Sequence, residues 1–294
     1  MSRRRPSNAS RRISAESGAD GISTADARLR ETRQAFDSVA ADYDGPRGNN
    51  ALIQRMRETV WRTLTSEVAP GGRLLDLGCG TGLDAAYFAG RGYQVVATDW
   101  SPRMVERTRE RAAAGGLSHR VRALTVGIHE LARLEASGFD GIYSNFGPLN
   151  CVPDLDAVAR SCSALLVPDG TFVASIMGRV CPWEFAYYLT RRRFARARMR
   201  AARGVVPVGL NNHTVWAWYF TPREFYRPFA DRFALKHYEA LGLFLPPPYL
   251  IGVYERRPRL CALLGWLDDR LGALPLLRDS GDHFLIMMTR RREG

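Results

Sequence analysis

Asp76, Gly78, Gly80 and Gly82 stand at two-residue spacing in the string LLDLGCGTG, which runs from Leu74 to Gly82. A short apolar run that enters a tight glycine turn lets a ligand approach the backbone closely where a strand meets a helix. The chemistry of such a corner is nucleotide binding, and the residue types narrow which nucleotide. A dinucleotide turn, G-x-G-x-x-G, needs a third glycine and a helix N-terminus open to pyrophosphate. Leu83 occupies that third position. Asp76 lies two residues before Gly78, where its charge opposes a phosphate and suits a cation. The run QVVATDW ends at Asp99, nineteen residues past Gly80, at the spacing of an acid that accepts from two ribose hydroxyls. Trp100 follows with a ring that can pack on adenine. A nucleoside that carries positive charge meets all of these conditions.

S-adenosylmethionine is such a nucleoside, with one ammonium and one sulfonium. The D-x-G-x-G-x-G string, the acid closing the second strand, and the later FDGIYSNFGPLN and LLVPDGTFVASIM segments fall in order between Arg73 and Met177. This arrangement resembles the class I, Rossmann-like S-adenosylmethionine-dependent methyltransferases of the small-molecule type. Weaker similarity extends upstream through AFDSVAADYD and downstream through YFTPREF. The resemblance implies that Tyr43 closes over the methionine end of the cofactor, although a helix-end aromatic is the ordinary alternative. It places Asn145, in SNFGPLN, at the carboxyl end of the fourth strand facing the crevice, where a turn-capping role competes. In VGIHEL, where relatives often place an acid or a backbone amide against adenine, Ile128 is the residue left to pack on the ring. Cys79 is a small side chain within the turn. The expected cofactor set is therefore Tyr43, Asp76, Gly78, Cys79, Gly80, Gly82, Asp99, Trp100, Ile128 and Asn145.

Methyl transfer from a sulfonium is an in-line displacement, so a protein contributes by aligning the acceptor and excluding water. A general base helps when the nucleophile arrives protonated. His129, just after the third strand, and His213, in a later hairpin, are the candidates, and each also reads as a surface or structural histidine. Glu184 is open to the same two readings. No His, Asp and Glu cluster has metal-site spacing, so no metal is expected.

These residues need a frame, and the frame is legible as an alternation of strands and helices. Helical spacing of apolar residues marks Ala35 to Tyr43 and Ala51 to Val68 ahead of the first strand. Ser101 followed by Pro102 is a helix start, and Gly115-Gly116 closes that helix. Val121–Val126, Gly138–Asn145 and Thr171–Met177 supply further strands, with a helix over Asp154–Leu166. Thr221-Pro222 repeats the start signal, and Phe233–Glu239 and His283–Thr289 complete a seven-stranded, mostly parallel, doubly wound α/β sheet. By family analogy the last strand is antiparallel. Two inserts interrupt the frame, at about 178–214 and 242–281. The first reads as a Trp183–Arg203 helix with aromatics early and arginines late, then a hairpin. In the family such inserts form a lid over the acceptor, and their aromatic richness implies a hydrophobic acceptor.

Composition fits one enzyme domain over residues 31–294 behind a disordered basic tail, residues 1–30, that lacks a secretory apolar core. There is no apolar run of 18 residues, and five cysteines without a C-x-x-C pair argue against a disulfide framework. The cytoplasm is the expected location. The formal charge of +12 comes almost wholly from arginine, Lys236 being the one lysine. Arg191, Arg192, Arg193, Arg196, Arg198, Arg200 and Arg203 crowd a single segment. Three further readings follow: a lipid methyltransferase at an anionic membrane surface, a nucleic-acid methyltransferase, and a non-catalytic cofactor-binding relative. The fourth strand ends in SNFG and not in an N/D-P-P-Y string, which argues against a nucleic-acid partner.

Overall fold

The computed structural model describes residues 18–46 and 48–292. Two helices come first, α1 (Gly18–Val39) and α2 (Ala51–Glu67). The alternating core follows as β1 (Arg73–Leu77), α3 (Leu83–Gly90), β2 (Gln94–Asp99), α4 (Pro102–Ala114), β3 (Val121–Thr125), β4 (Phe139–Ser144), α5 (Leu155–Leu165) and β5 (Leu166–Met177). The first insert holds α6 (Pro182–Thr190), α7 (Phe194–Ala197) and the hairpin β6 (Val206–Leu210) and β7 (His213–Ala217). After α8 (Pro222–Tyr226) and β8 (Phe233–Leu241) comes the second insert, with α9 (Ile251–Arg256) and α10 (Pro258–Leu271), and then β9 (His283–Arg290).

Seven strands form one sheet in the order β3-β2-β1-β4-β5-β9-β8. The ladders from β3 through β5 are parallel, and β9 runs antiparallel to both neighbours, β5 and β8. The chain leaves β1 toward β2 on one side and returns to β4 on the other. The carboxyl ends of β1 and β4 thus flank the crevice where sheets of this kind receive ligands.

Strand alternation sends side chains to two cores. Leu74, Tyr143, Val173 and Leu285 face α2, α3 and α4, where Val60, Leu64, Phe88 and Val105 are fully buried. Leu75, Ile142, Phe172 and Ile286 face α5 and the Phe225–Phe229–Phe233 cluster on the other side. Each such side chain contributes about 1.5–3 kcal/mol of transfer free energy when removed from water. Side-chain caps fix the helix starts: Asn50 accepts from the Leu52 and Ile53 amides, Ser101 from Met104, and Asp154 from Ala157. Thr221 and Glu224 form a capping box.

Two expectations are corrected. Residues 18–30, assigned above to a disordered tail, belong to α1; residues 1–17 of that stretch lie outside the described residues. Tertiary contacts hold this helix. Trp216 of β7 donates its backbone amide to Thr32 at 3.1 Å and its indole N–H to Glu31 at 2.6 Å, with Arg28 over its ring. The single helix expected over Trp183–Arg203 is broken, because Arg192 takes a left-handed φ of 57° between α6 and α7. Among the described residues no helix is long and apolar enough to cross a membrane.

Candidate active site

One cavity of about 1030 Å³ opens at the crevice. Its floor is the glycine turn between β1 and α3. Gly78 has a φ of 75°, and a Cβ there would fall 2.4 Å from the Pro148 side chain, so only glycine fits. The amides of Gly78 and Cys79 both donate to the Thr98 carbonyl, which ties the turn to β2. At Gly80 a Cβ would meet only a Tyr43 ring atom, at 3.9 Å, so the backbone is bare toward the cavity. Thr81 donates to Asp44 at 2.7 Å and Arg111 pairs with the same carboxylate, clamping the Tyr43–Asp44 turn over the glycine loop. Burial pushes the Tyr43 phenol up to about 12, which keeps it a neutral donor.

Asp99 ends β2 with one carboxylate oxygen accepting from the Gly80 amide at 3.0 Å and the other from Ser101 at 2.8 Å. Burial raises its carboxyl to about 6, against those two hydrogen bonds. Beside it, Trp100 and Ile128 supply an apolar wall. Asn145 accepts from the Ser175 hydroxyl and turns its amide toward Asp84. Of the expected cofactor residues, Tyr43, Gly78, Cys79 and Gly80 line the cavity, as do Asp99, Trp100, Ile128 and Asn145.

Four expected site residues do not line it. Asp76 lies behind the turn, 1% exposed, where it accepts from the Tyr143 hydroxyl at 3.0 Å. Burial, with the nearby charge of Asp84, raises its carboxyl well above the usual range. Gly82 caps α3 in a left-handed conformation, and a Cβ there would fall 2.7 Å from Thr108. His129 packs edge-on against Trp100, with ring centroids 4.4 Å apart, and His213 is an exposed hairpin residue opposite Leu210. A second carboxylate beside the turn, Asp84, reaches the cavity wall where Asp76 does not; sequence reading missed it although it stands in the first turn of α3. It accepts from Trp61 at 2.6 Å and pairs with Arg57 at 2.7 Å; Arg57 also lines the cavity, stacked over Phe146. Together these side chains offer both an anion and a cation for an amino-acid end. The donor set, the bare glycine backbone and the apolar wall fit an adenosyl amino acid.

The opposite end of the cavity is built by the two inserts and the start of β9. Arg200 is 8% exposed and sits at the centre of a knot there. It donates to Glu184 at 2.7 Å and to Asp282 at 2.6 Å, and also to the carbonyls of Gly178 and Asp282. Tyr249 donates to Glu184 at 3.0 Å. Burial works against ionisation of Asp282, but the Arg200 guanidinium and His283 outweigh it and hold the carboxyl far below the usual carboxylate range. His283 places Nδ1 3.0 Å from the other Asp282 oxygen. Glu184 thus belongs to the cavity wall, while Asp282 and His283 were not singled out from sequence. The pairing of Asp282 with Arg200 spans 82 positions, and no local signal marks it.

Residues 74–170 match the family described as "Methyltransferase domain". The chain is 30% identical over 230 residues to a ubiquinone biosynthesis O-methyltransferase of Methylocella silvestris, covering 72% of this chain and 84% of that protein. It is 35% identical over 144 residues to a demethylmenaquinone methyltransferase of Clavibacter sepedonicus, covering 47% of this chain and 54% of that protein. In fold it is similar to the Burkholderia thailandensis 1,6-didemethyltoxoflavin-N1-methyltransferase solved with 1,6-didemethyltoxoflavin and S-adenosylhomocysteine. The TM-score is 0.55 at 20% identity, over 96% of this chain and 94% of that one. With the β3-β2-β1-β4-β5-β9-β8 sheet, the glycine turn and these relatives in hand, the chain belongs to the class I, Rossmann-like S-adenosylmethionine-dependent methyltransferases.

Proposed function

We propose that this methyltransferase acts on an oxygen, or failing that a nitrogen, of a small, mainly hydrophobic aromatic acceptor of the phenolic, quinone-precursor kind. The observation that carries this reading is the continuity of the cavity. The glycine turn lies at one end and the lid inserts at the other, in a single space of about 1030 Å³, large enough for a nucleoside and a ring together. The name of the Methylocella relative supports oxygen as the methylated atom. S-adenosylmethionine, when bound, supplies an electrophilic methyl group on sulfur. On this reading Asp99 takes the ribose hydroxyls, Trp100 and Ile128 hold adenine, and Gly78, Cys79 and Gly80 let the ligand lie against backbone. Tyr43 and Asn145 cover the methionine end, whose charges face Asp84 and Arg57. On the acceptor side Tyr188, Met199, Val208 and Tyr219 give an apolar and aromatic surface.

Calorimetry with S-adenosylmethionine and S-adenosylhomocysteine, with NAD as a control, tests the cofactor side. Micromolar binding of the first two without NAD is expected. Release of S-adenosylhomocysteine in the presence of 4-octylcatechol tests the acceptor class. Turnover with amines of similar shape and none with catechols would overturn the assignment to oxygen.

A second reading, compatible with the first, is that the lid rests on an anionic membrane surface from which a lipid-like acceptor enters. It is favoured by the exposure of Phe185, Leu189 and Phe194, which is 58% exposed, around Arg191, Arg192 and Arg193. Leu263 and Trp266 of α10 are also exposed on the lid inserts. Apolar side chains beside arginines suit an anionic interface. Sedimentation with phosphatidylglycerol vesicles, lost when Arg191–Arg193 become glutamine, is the expected result. Equal sedimentation of both proteins would refute it.

A further inference from the structure

We infer that His283, oriented by Asp282, is the general base that takes the proton from the acceptor hydroxyl. The inference rests on the reading of an O–H acceptor and adds to it the residue that activates that oxygen.

Position comes first. His283 opens β9 in register with Met177, at the carboxyl end of β5, and both residues line the cavity. Its ring meets Phe146 edge-on at 6.0 Å between centroids. Phe146 follows Asn145 and also carries the Arg57 guanidinium over its ring, 4.9 Å from the centroid. The imidazole therefore stands one aromatic ring away from the cofactor corner, on the side the inserts enclose. His129 and His213 have no such access.

The protonation pattern follows from the partner. Asp282 is held ionised by Arg200, and an ionised carboxylate only accepts hydrogen bonds. The contact at 3.0 Å thus fixes the proton on Nδ1 and leaves Nε2 as the free lone pair. Nε2 makes no hydrogen bond among the described residues. Two carboxylates, Glu184 and Asp282, face a single guanidinium in the knot, Arg200, so the local balance is one negative charge in excess. The other groups around the knot are Tyr219, Tyr249 and Cys181, whose ionisations burial drives upward, so they stay neutral. Arg196 is a further charge on the cavity wall, and on the side of Phe146 so are Arg57 and Asp84, which pair with each other. Arg200 and Glu184 are positioning residues: they hold Asp282, which holds the ring.

The step balances without a further reactant. The acceptor O–H bond breaks and its proton passes to Nε2. The oxygen bonds the methyl carbon as the carbon–sulfur bond breaks, and that electron pair stays on sulfur. The proton then leaves His283 to water.

The test uses 4-nitrocatechol, whose absorbance reports its own ionisation, bound to the full-length protein in the presence of saturating S-adenosylhomocysteine. In the wild type the bound phenol is expected to appear ionised at a pH about one unit or more below that of the free compound. In His283→Gln the shift is expected to vanish while S-adenosylhomocysteine affinity stays within about twofold, and turnover with 4-octylcatechol is expected to fall by about 100-fold or more. Nitrogen NMR of the imidazoles supplies the independent readout, a His283 ring protonated at Nδ1 in the wild type. Binding with no shift, or a shift that survives in His283→Gln, overturns the base assignment alone. Failure of 4-nitrocatechol to bind the wild-type complex overturns the phenolic acceptor reading on which it rests.

Discussion

Replacing Asp99 with asparagine is expected to weaken cofactor binding while leaving the stability of the apo protein nearly unchanged. The carboxylate accepts from the Gly80 and Ser101 amides and faces the cavity, and burial raises its ionisation to about 6 from 3.8. A raised acid in the folded state costs stability when it is ionised. Its favourable contribution is fully present below the unfolded value near 3.8 and is lost as pH rises through about 6. One unit corresponds to about 1.4 kcal/mol, so the ionised form costs up to about 3 kcal/mol at neutral pH. Asparagine removes that cost but sets its own N–H against one of the two backbone donors, an offset of about 1–3 kcal/mol. The apo protein should therefore unfold within about 1–2 kcal/mol of the wild type. The ribose, by contrast, loses charged hydrogen bonds worth about 1.5–3 kcal/mol, a fall of roughly 10- to 150-fold in affinity. Calorimetric titration with S-adenosylhomocysteine at pH 7.5, paired with urea unfolding of the apo protein, separates the two quantities. In the wild type, affinity should also weaken as pH drops below about 6, and that dependence should be absent in the variant. Unchanged affinity in Asp99→Asn, with a folded apo protein, would refute the assignment of this carboxylate to the ligand.

Other substitutions test neighbouring parts of the argument. Gly80→Ala is expected to weaken S-adenosylhomocysteine binding at least tenfold with about 1 kcal/mol of left-handed backbone strain, because its Cβ enters the cavity and not the packed interior. Gly82→Ala meets Thr108 and should instead lower the melting temperature, so thermal scans with and without ligand distinguish the two glycines. Tyr143→Phe leaves Asp76 without its hydroxyl donor in a buried site and should cost about 1–3 kcal/mol in urea unfolding. Arg200→Met strands Glu184 and Asp282 and should cost about 3–5 kcal/mol near neutral pH, with part recovered at low pH as the carboxylates take up protons; a neutral effect would show that the knot is not what holds the lid.

What could be read from sequence was what is local. Asp76 through Gly82 and Asp99 through Pro102 announce a strand, a turn and a capped helix within a few residues, and β1 to β4 stand where their apolar runs put them, while β5 starts at Leu166, ahead of the Thr171 expected. Site residues carried by those runs, such as Gly80, Asp99 and Trp100, line the cavity. Asp76 misled because charge near a glycine turn was taken for charge facing the ligand, whereas strand alternation points it at Tyr143. The basic segment misled for a related reason. Its seven arginines look alike in sequence, but Arg200 is drawn inward by Asp282 and Glu184, one of them 82 residues away, while Arg191 lies on Tyr187. Only the end of α1 was expected, as part of a helix over Ala35 to Tyr43; its earlier turns escaped notice because Arg28, Glu31 and Thr32 take their partner from a hairpin nearly two hundred positions later.

The order of strands in the sheet also bears on how the molecule assembles. β3 through β5 are contiguous within residues 73–177 and need nothing later in the chain to pair with one another. β8 has a single neighbour in the sheet, β9, and β5 obtains its outer neighbour from the same strand. Until residues 283–290 arrive, then, β8 has no place to dock and the chamber wall beside β5 is unmade. The loop closed by β5 and β9 is long, and pairings of that sequence separation form late. The wall that closes the acceptor end of the cavity is thus made by a strand that comes after all the others in chain order among the described residues, and its first residue, His283, lines that cavity.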